Sequence, residues 1–319
     1  MHEHPRVLIS ERLDDACAAW LAERCTVIRH RYDAPGFNDA LAKADGLVVR
    51  TYTRVGTDLL RRAPSLRVVG RAGVGLDNFD LAACRAAGVR VVYTPDANTQ
   101  AVVEYVLGLM LDRFRPRSPL PPAADADTFH AMRSSEVGTE LATLTLGVVG
   151  YGRIGKRLTA AAEALGMRVL CCDIDPDAAP GSEPHRLVPH EQVYAEADVL
   201  TLHADGRPEN RHLVDAAVLR RLKPTALLIN AARGPLVDAQ ALTHWLTRHP
   251  QAHAVLDVHD PEPPPPNHPL HALPNCRLQA HLASRTHTAL SNMSRVVEDV
   301  AAVLQNQEPR FPAFKPSRT

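Results

Sequence analysis

Gly150, Gly152 and Gly155 form a Gly-x-Gly-x-x-Gly run directly after the apolar stretch Leu146-Gly147-Val148-Val149, and Asp173 closes the next apolar stretch, Val169-Leu170-Cys171-Cys172. That spacing is what a dinucleotide asks of a βαβ unit. The first glycine permits a tight strand-to-helix turn, the second lets backbone N–H groups approach a pyrophosphate at a helix N-terminus, and the third lets helix pack on strand. Arg153 and Ile154 fill the variable positions of the turn. The Asp173 carboxylate can accept hydrogen bonds from the ribose hydroxyls of NAD and would repel the 2′-phosphate of NADP, and no arginine follows it closely. The cofactor read from these residues is NAD.

The elements that must hold this motif alternate along the chain. Short apolar strands are expected at Arg6–Ile9, Gly46–Arg50, Arg67–Arg71 and Arg90–Tyr93, with helices at about Asp14–Glu23, Thr57–Arg62 and Leu81–Ala87. A long helix from about Thr99 to Asp112 follows, then the Pro-rich stretch Arg115–Ala124, read as a connecting loop. A second series of strands is expected at Thr143–Val149, Arg168–Asp173, Asp198–Leu202, Ala226–Asn230, Ala252–Leu256 and Arg277–Ala280, with a last helix at about Ser284–Leu304. Strands separated by helical segments argue for α/β architecture, with parallel sheets covered by helices on both faces.

Composition narrows the class. With 319 residues, 45% of them apolar and 23% charged, the chain has room for about two globular domains. Its 36 basic and 36 acidic residues cancel, so no global field favours nucleic acid or an anionic membrane, and an anionic substrate must be met by local arginines. The six cysteines form no Cys-x-x-Cys pair and read as buried, reduced thiols. Neither a secretory leader nor a membrane span is recognisable, and a cytoplasmic protein is expected. His259, His268, His271 and His281 match no common zinc spacing, so no metal is expected.

From Val68 onward, the chain resembles the NAD-dependent D-2-hydroxyacid dehydrogenases, in particular their phosphoglycerate dehydrogenase-like branch. The blocks that carry the resemblance are Val48–Thr53, Gly70–Asn78, Asn98-Thr99 with Glu104, the glycine motif, Ile229–Gly234, Leu256–Val258 with Glu262-Pro263, and His281–Ser284. It implies two doubly wound parallel-sheet domains. A Rossmann NAD-binding domain (99–286) would be inserted into a discontinuous, flavodoxin-like substrate domain (1–98 and 287–319), with catalysis in the cleft.

The resemblance also implies roles. Arg233, Glu262 and His281 would be catalytic: Arg233 holds the substrate carboxylate and polarises its carbonyl, His281 is the acid/base, and Glu262 favours its imidazolium. His203, Ala231, Ala232, Arg233, Asp257, His281 and Ala283 would line the cofactor, with Asp257 meeting the nicotinamide carboxamide. Gly73, Val74 and Gly75 would offer backbone N–H groups to the substrate, and Arg50 and Arg71 are the candidates for a second anionic group. The expected substrate is a small 2-hydroxy or 2-oxo acid, with 3-phosphoglycerate and 3-phosphohydroxypyruvate as the leading pair, and the expected assembly a homodimer.

Glyoxylate or hydroxypyruvate reduction is the alternative within enzymes, and an NAD-sensing protein akin to the corepressors of this fold is the alternative outside them. A formate dehydrogenase is disfavoured by the carboxylate at Glu262. Departures from the family pattern are His203-Ala204-Asp205, where a proline is common two residues after the histidine, the Pro-rich loop, and Gln279-Ala280 before His281.

Overall fold

A computed structural model describes residues 4–178 and 187–314. They form two compact units, one from residues up to Asn98 and again from Ser284 onward, the other from Thr99 to Ala283. The chain thus returns to its first unit at Ser284, where the sequence placed the return at 287.

The first unit carries a five-stranded parallel sheet of β1 (Arg6–Ile9), β2 (Thr26–Arg29), β3 (Gly46–Val49), β4 (Val68–Arg71) and β5 (Arg90–Tyr93), in the order β2-β1-β3-β4-β5. This is the flavodoxin-like order. Central β3 is buried along its whole length, whereas edge strand β2 is at best half-buried. The polar ends of Thr26-Val27-Ile28-Arg29 hide this strand in the sequence.

The expected C-terminal helix is two, His287–Ser294 and Val296–Leu304, which meet at Arg295. The second lies on the sheet. A Cβ at Gly70 would fall 2.5 Å from a Val300 methyl, and one at Gly46 would meet Leu304 and Val300 at 3.3 Å. Val296, Val297 and Val300 share one apolar cluster with Val7, Val48 and Val68, so burial of this face is what joins the two ends of the chain.

The second unit carries six parallel strands, β6 (Thr145–Val149), β7 (Arg168–Cys172), β8 (Val199–Leu202), β9 (Leu227–Asn230), β10 (His253–Leu256) and β11 (Cys276–Leu278), ordered β11-β10-β9-β8-β6-β7. Strands β6, β8 and β9 are wholly buried, the near-continuous apolar signature of a sheet covered on both faces. Outside β7, where the usual dinucleotide-binding order has a further strand, the described residues show a backbone bond from Val188 N–H to the Cys171 carbonyl.

The helix Thr99–Phe114 packs on this unit. After the Pro-rich stretch comes a helix that the sequence did not suggest, Ala126–Ser135, capped by Asp125. None of its residues is buried, so it has no apolar period to read. No described helix is long and apolar enough to cross a membrane, and no metal-binding cluster of His, Cys, Asp and Glu occurs among the described residues. All six cysteines are free thiols; four are buried, while Cys17 and Cys276 are half-buried.

Candidate active site

In a parallel sheet, ligands gather outside the carboxyl ends of the strands. In the second unit every residue singled out from the sequence follows such an end: Gly150 after β6, Asp173 after β7, His203 after β8, Ala231–Arg233 after β9, Asp257 after β10 and His281 after β11.

The three glycines serve three different needs. Gly150 has φ +100°, and a Cβ on it would lie 2.6 Å from the His203 carbonyl carbon, so only glycine lets the turn pass that loop. At Gly155 a Cβ would collide with the Gly150 carbonyl. Gly152 differs. It has an ordinary extended backbone, φ −78°, and a Cβ there would meet no described atom within 4 Å. Packing does not require a glycine at the N-terminus of helix Arg153–Ala164. The space beside it is open to a ligand, and a pyrophosphate would fit there.

Asp173 accepts hydrogen bonds from Tyr151 N–H (2.6 Å) and Asp175 N–H (2.9 Å). The carboxylate therefore ties the glycine turn to β7 and keeps acceptor sites for ribose hydroxyls. Exposed Ile174 beside it is an apolar surface that sequence reasoning missed. His203 Nε2 pairs with the Thr201 hydroxyl at 3.0 Å, while its Nδ1 is enclosed and has no partner among the described residues. Burial pushes this imidazole down to about 4, so it is neutral near pH 7.

Asp205, the departure from the family pattern, is bound within its own loop. It accepts from Arg207 Nε (2.7 Å), Arg207 N–H (3.2 Å) and Asn210 Nδ2 (3.0 Å), a set of bonds that closes the turn without proline.

Arg233 leaves β9 on a short loop that Asn230 shapes. Asn230 Oδ1 accepts from Ala232 N–H (3.1 Å), and its Nδ2 donates to the Arg233 carbonyl (2.8 Å). Gly234 follows because any side chain there would collide with the His259 carbonyl. His259 in turn donates its N–H to Glu262 (3.3 Å), and its Nε2 lies 2.6 Å from the Gln279 carbonyl. The segments after β9, β10 and β11 are thereby pinned to one another.

On this frame His281 Nδ1 lies 2.7 Å from Glu262 Oε1, with side chains 40% and 29% exposed respectively. Burial disfavours the Glu262 charge, but the hydrogen bond and charge of His281, with help from the His259 amide, outweigh it and hold the carboxyl below its usual range. With Nδ1 engaged, Nε2 is the nitrogen left to exchange a proton.

Asp257 is 1% exposed, and its carboxylate accepts from Leu282 N–H (2.7 Å), Ala283 N–H (2.9 Å) and the Tyr105 hydroxyl (3.0 Å). Tyr105, on helix Thr99–Phe114, carried no signal in the sequence beyond its place next to Glu104. Burial and the adjacent carboxylate hold its phenol above the ordinary range, so it remains a donor.

The first unit positions its own candidates. Arg50 follows β3 in a loop wrapped around Glu11, whose carboxylate accepts the N–H groups of Arg50, Thr51, Tyr52 and Thr53 and the Thr53 hydroxyl at 2.9–3.2 Å. Burial and then the nearby Arg285 charge lower the Arg50 guanidinium from its usual range, against the opposing pull of Glu11. Neither Glu11 nor Arg285 carries a signal in the sequence. Arg71 behaves differently from the expectation that paired it with Arg50. It donates to the Gly75 carbonyl (3.0 Å) and the Ala72 carbonyl (2.9 Å), and a side chain at Gly73 would displace its guanidinium. Arg71 shapes the 73–75 turn, in which Gly73 N–H already donates to the Arg71 carbonyl (2.8 Å).

A parallel α/β unit with a Gly-x-Gly-x-x-Gly turn and a histidine–carboxylate pair at its strand ends fits a nicotinamide-dependent dehydrogenase. The family model for the NAD-binding domain of D-isomer specific 2-hydroxyacid dehydrogenases matches residues 107–283. Relatives include (S)-sulfolactate dehydrogenase of Chromohalobacter salexigens, 35% identical over 92% of this chain and 96% of that one. Glyoxylate reductase of Aeropyrum pernix is 33% identical over 96% and 95%. D-3-phosphoglycerate dehydrogenase of Mycobacterium tuberculosis is 37% identical over 93% of this chain, which spans only 56% of that longer enzyme. A crystal structure of a Thermus thermophilus protein superposes with TM-score 0.85 at 35% identity, covering 97% of this chain and 100% of that one. The chain belongs to the D-isomer specific 2-hydroxyacid dehydrogenase family and is an NAD-dependent oxidoreductase acting on the CH–OH group of small 2-hydroxy acids.

Proposed function

We propose that the substrate is a short 2-hydroxy or 2-oxo acid carrying a second anionic group, with 3-phosphoglycerate and 3-phosphohydroxypyruvate the pair to test first. The observation behind this reading is Arg50, a partly buried guanidinium at the end of β3 that feels the positive charge of Arg285. A desolvated guanidinium with a second cation nearby favours an anion beside it. Phosphoglycerate and sulfolactate, named in two of the relatives, both carry such a group.

In this reading Arg233 holds the carboxylate and polarises the carbonyl to be reduced. His281 donates its Nε2 proton to the carbonyl oxygen, and in oxidation takes it back from the hydroxyl, while Glu262 holds Nδ1. NAD(H), when bound, supplies or accepts the hydride. Gly150, Gly152, Arg153, Ile154 and Gly155 would hold its pyrophosphate, Asp173 its ribose, and the loops of His203, Ala231-Ala232, Asp257 and Ala283 its nicotinamide half. Asp173 favours NAD over NADP.

A screen of NADH oxidation with 3-phosphohydroxypyruvate, 3-sulfopyruvate, hydroxypyruvate and glyoxylate tests this. The doubly anionic acids should show the higher kcat/KM, by about tenfold or more for one desolvated charge pair. Equal or better use of glyoxylate would overturn the proposal and favour a glyoxylate or hydroxypyruvate reductase, the reading supported by the full-length likeness to the Aeropyrum enzyme. Failure on every acid, with NADH still bound, would favour an NAD-sensing role. The exposed helix Ala126–Ser135, with Phe129 and neighbouring Leu120 and Val137 also exposed, supports a homodimer, and the free thiols support a cytoplasmic setting.

A further inference from the structure

We infer that Tyr105 is a positioning residue for proton transfer: its hydroxyl fixes the Asp257 carboxylate, which holds the run His281–Ala283 and so aims the His281 ring. The inference rests on the reading of His281 as the proton donor.

Asp257 is a buried carboxyl group with no ion-pair partner among the described residues, so its oxygens must be satisfied by hydrogen-bond donors. It has three. Tyr105 and Leu282 N–H both donate to Oδ1, and Ala283 N–H donates to Oδ2. Of the roughly four acceptor positions of a carboxylate, one on Oδ2 is left over. Most of the carboxylate is therefore engaged in holding the loop, with room for a single further donor such as a carboxamide.

The loop needs that hold. His281 has φ +56°, a left-handed conformation uncommon for a residue with a side chain, and its N–H donates to the Asp257 carbonyl at 2.9 Å. The ring is then fixed from two sides, by its backbone on Asp257 and by Nδ1 on Glu262. Tyr105 is the only one of the three donors to the carboxylate that comes from outside the loop itself. Without it, Asp257 and the loop can shift together, and the carboxylate no longer has an anchor on the helix Thr99–Phe114.

Tyr105→Phe removes this donor and keeps the ring in the apolar cluster it packs against. Turnover for 2-oxo acid reduction should fall about tenfold, as expected for a modest misplacement of a reacting group, while the KM for the acid changes little. In a His281→Ala background the same substitution should change turnover by less than about twofold, because it acts through His281. Tyr105→His, which restores a ring N–H donor, should recover part of the loss and carries the comparison if Tyr105→Phe unfolds. If His281→Ala is strongly impaired but Tyr105→Phe turns over normally, or loses the same factor in both backgrounds, the positioning role is overturned and the His281 reading stands. If His281→Ala itself stays active, both fall.

Discussion

Replacing Gly152 and Gly150 separately by alanine should divide cofactor binding from folding. Gly152 has an extended backbone, and a Cβ there would meet no described atom within 4 Å. The methyl group loses a few tenths to about 1 kcal/mol of N-cap preference and gains about 0.4–1 kcal/mol from the stiffer unfolded chain, so the net effect on stability is near zero. It would intrude where the proposed pyrophosphate approaches. If overpacking a close contact costs about 1–3 kcal/mol, the Kd for NADH rises roughly 5- to 150-fold. Gly150→Ala is the opposite case: it forces a side chain to φ +100° and places it 2.6 Å from the His203 backbone. Left-handed strain of about 1–2 kcal/mol and overlap of about 1–3 kcal/mol add to about 2–5 kcal/mol. For a unit of this size, Tm should fall by roughly 4–20 °C. Calorimetry gives Tm and quenching of NADH fluorescence gives Kd. If Gly152→Ala binds NADH as tightly as the unchanged protein, the pyrophosphate does not lie against Gly152 and the assignment of the turn is wrong.

Asp173→Ala should narrow the preference for NADH over NADPH, read as the ratio of kcat/KM values, because the ribose acceptor and the repulsion of a 2′-phosphate both disappear. It should also lower Tm, through loss of the Tyr151 and Asp175 bonds; an unchanged cofactor ratio would leave Asp173 a purely structural tie. Arg50→Ala should depress kcat/KM for 3-phosphohydroxypyruvate by about tenfold or more and glyoxylate much less. An equal loss on both acids would mean that Arg50 serves the loop or the common carboxylate. Glu262 has a carboxyl held below its usual range, so its pairing with His281 stabilises the fold above that range and fades as pH falls through the lowered value. The Tm difference between the unchanged protein and Glu262→Gln should therefore shrink below about pH 4; a gap independent of pH would show that the charge contributes nothing.

Much of this was legible in the sequence because it is local. The glycine turn, the strand before it and Asp173 are contiguous patterns with a fixed mechanical purpose, and buried parallel strands announce themselves as apolar runs. What was not legible falls into two kinds. Edge strand β2 and helix Ala126–Ser135 lack an apolar period, the first through its polar ends and the second because no residue in it is buried. The other kind is long-range. Glu11 meets the Arg50 loop from 39 residues away and Tyr105 meets Asp257 across 152, pairings that only the folded chain creates. Arg71 shows the limit of residue type alone: it ends β4 much as Arg50 follows β3, yet its side chain donates to the carbonyls of the loop that comes after it.

The most direct test of the account is the double-mutant cycle of His281→Ala and Glu262→Gln in the kcat for 2-oxo acid reduction at neutral pH. Two residues joined at 2.7 Å and acting as one acid/base unit should lose activity non-additively. His281→Ala should lose roughly 10²–10⁴ in turnover and Glu262→Gln less, with NADH binding preserved in both, and the double variant should be little worse than His281→Ala. Losses that multiply, or a folded His281→Ala protein with near-normal turnover, would contradict the account.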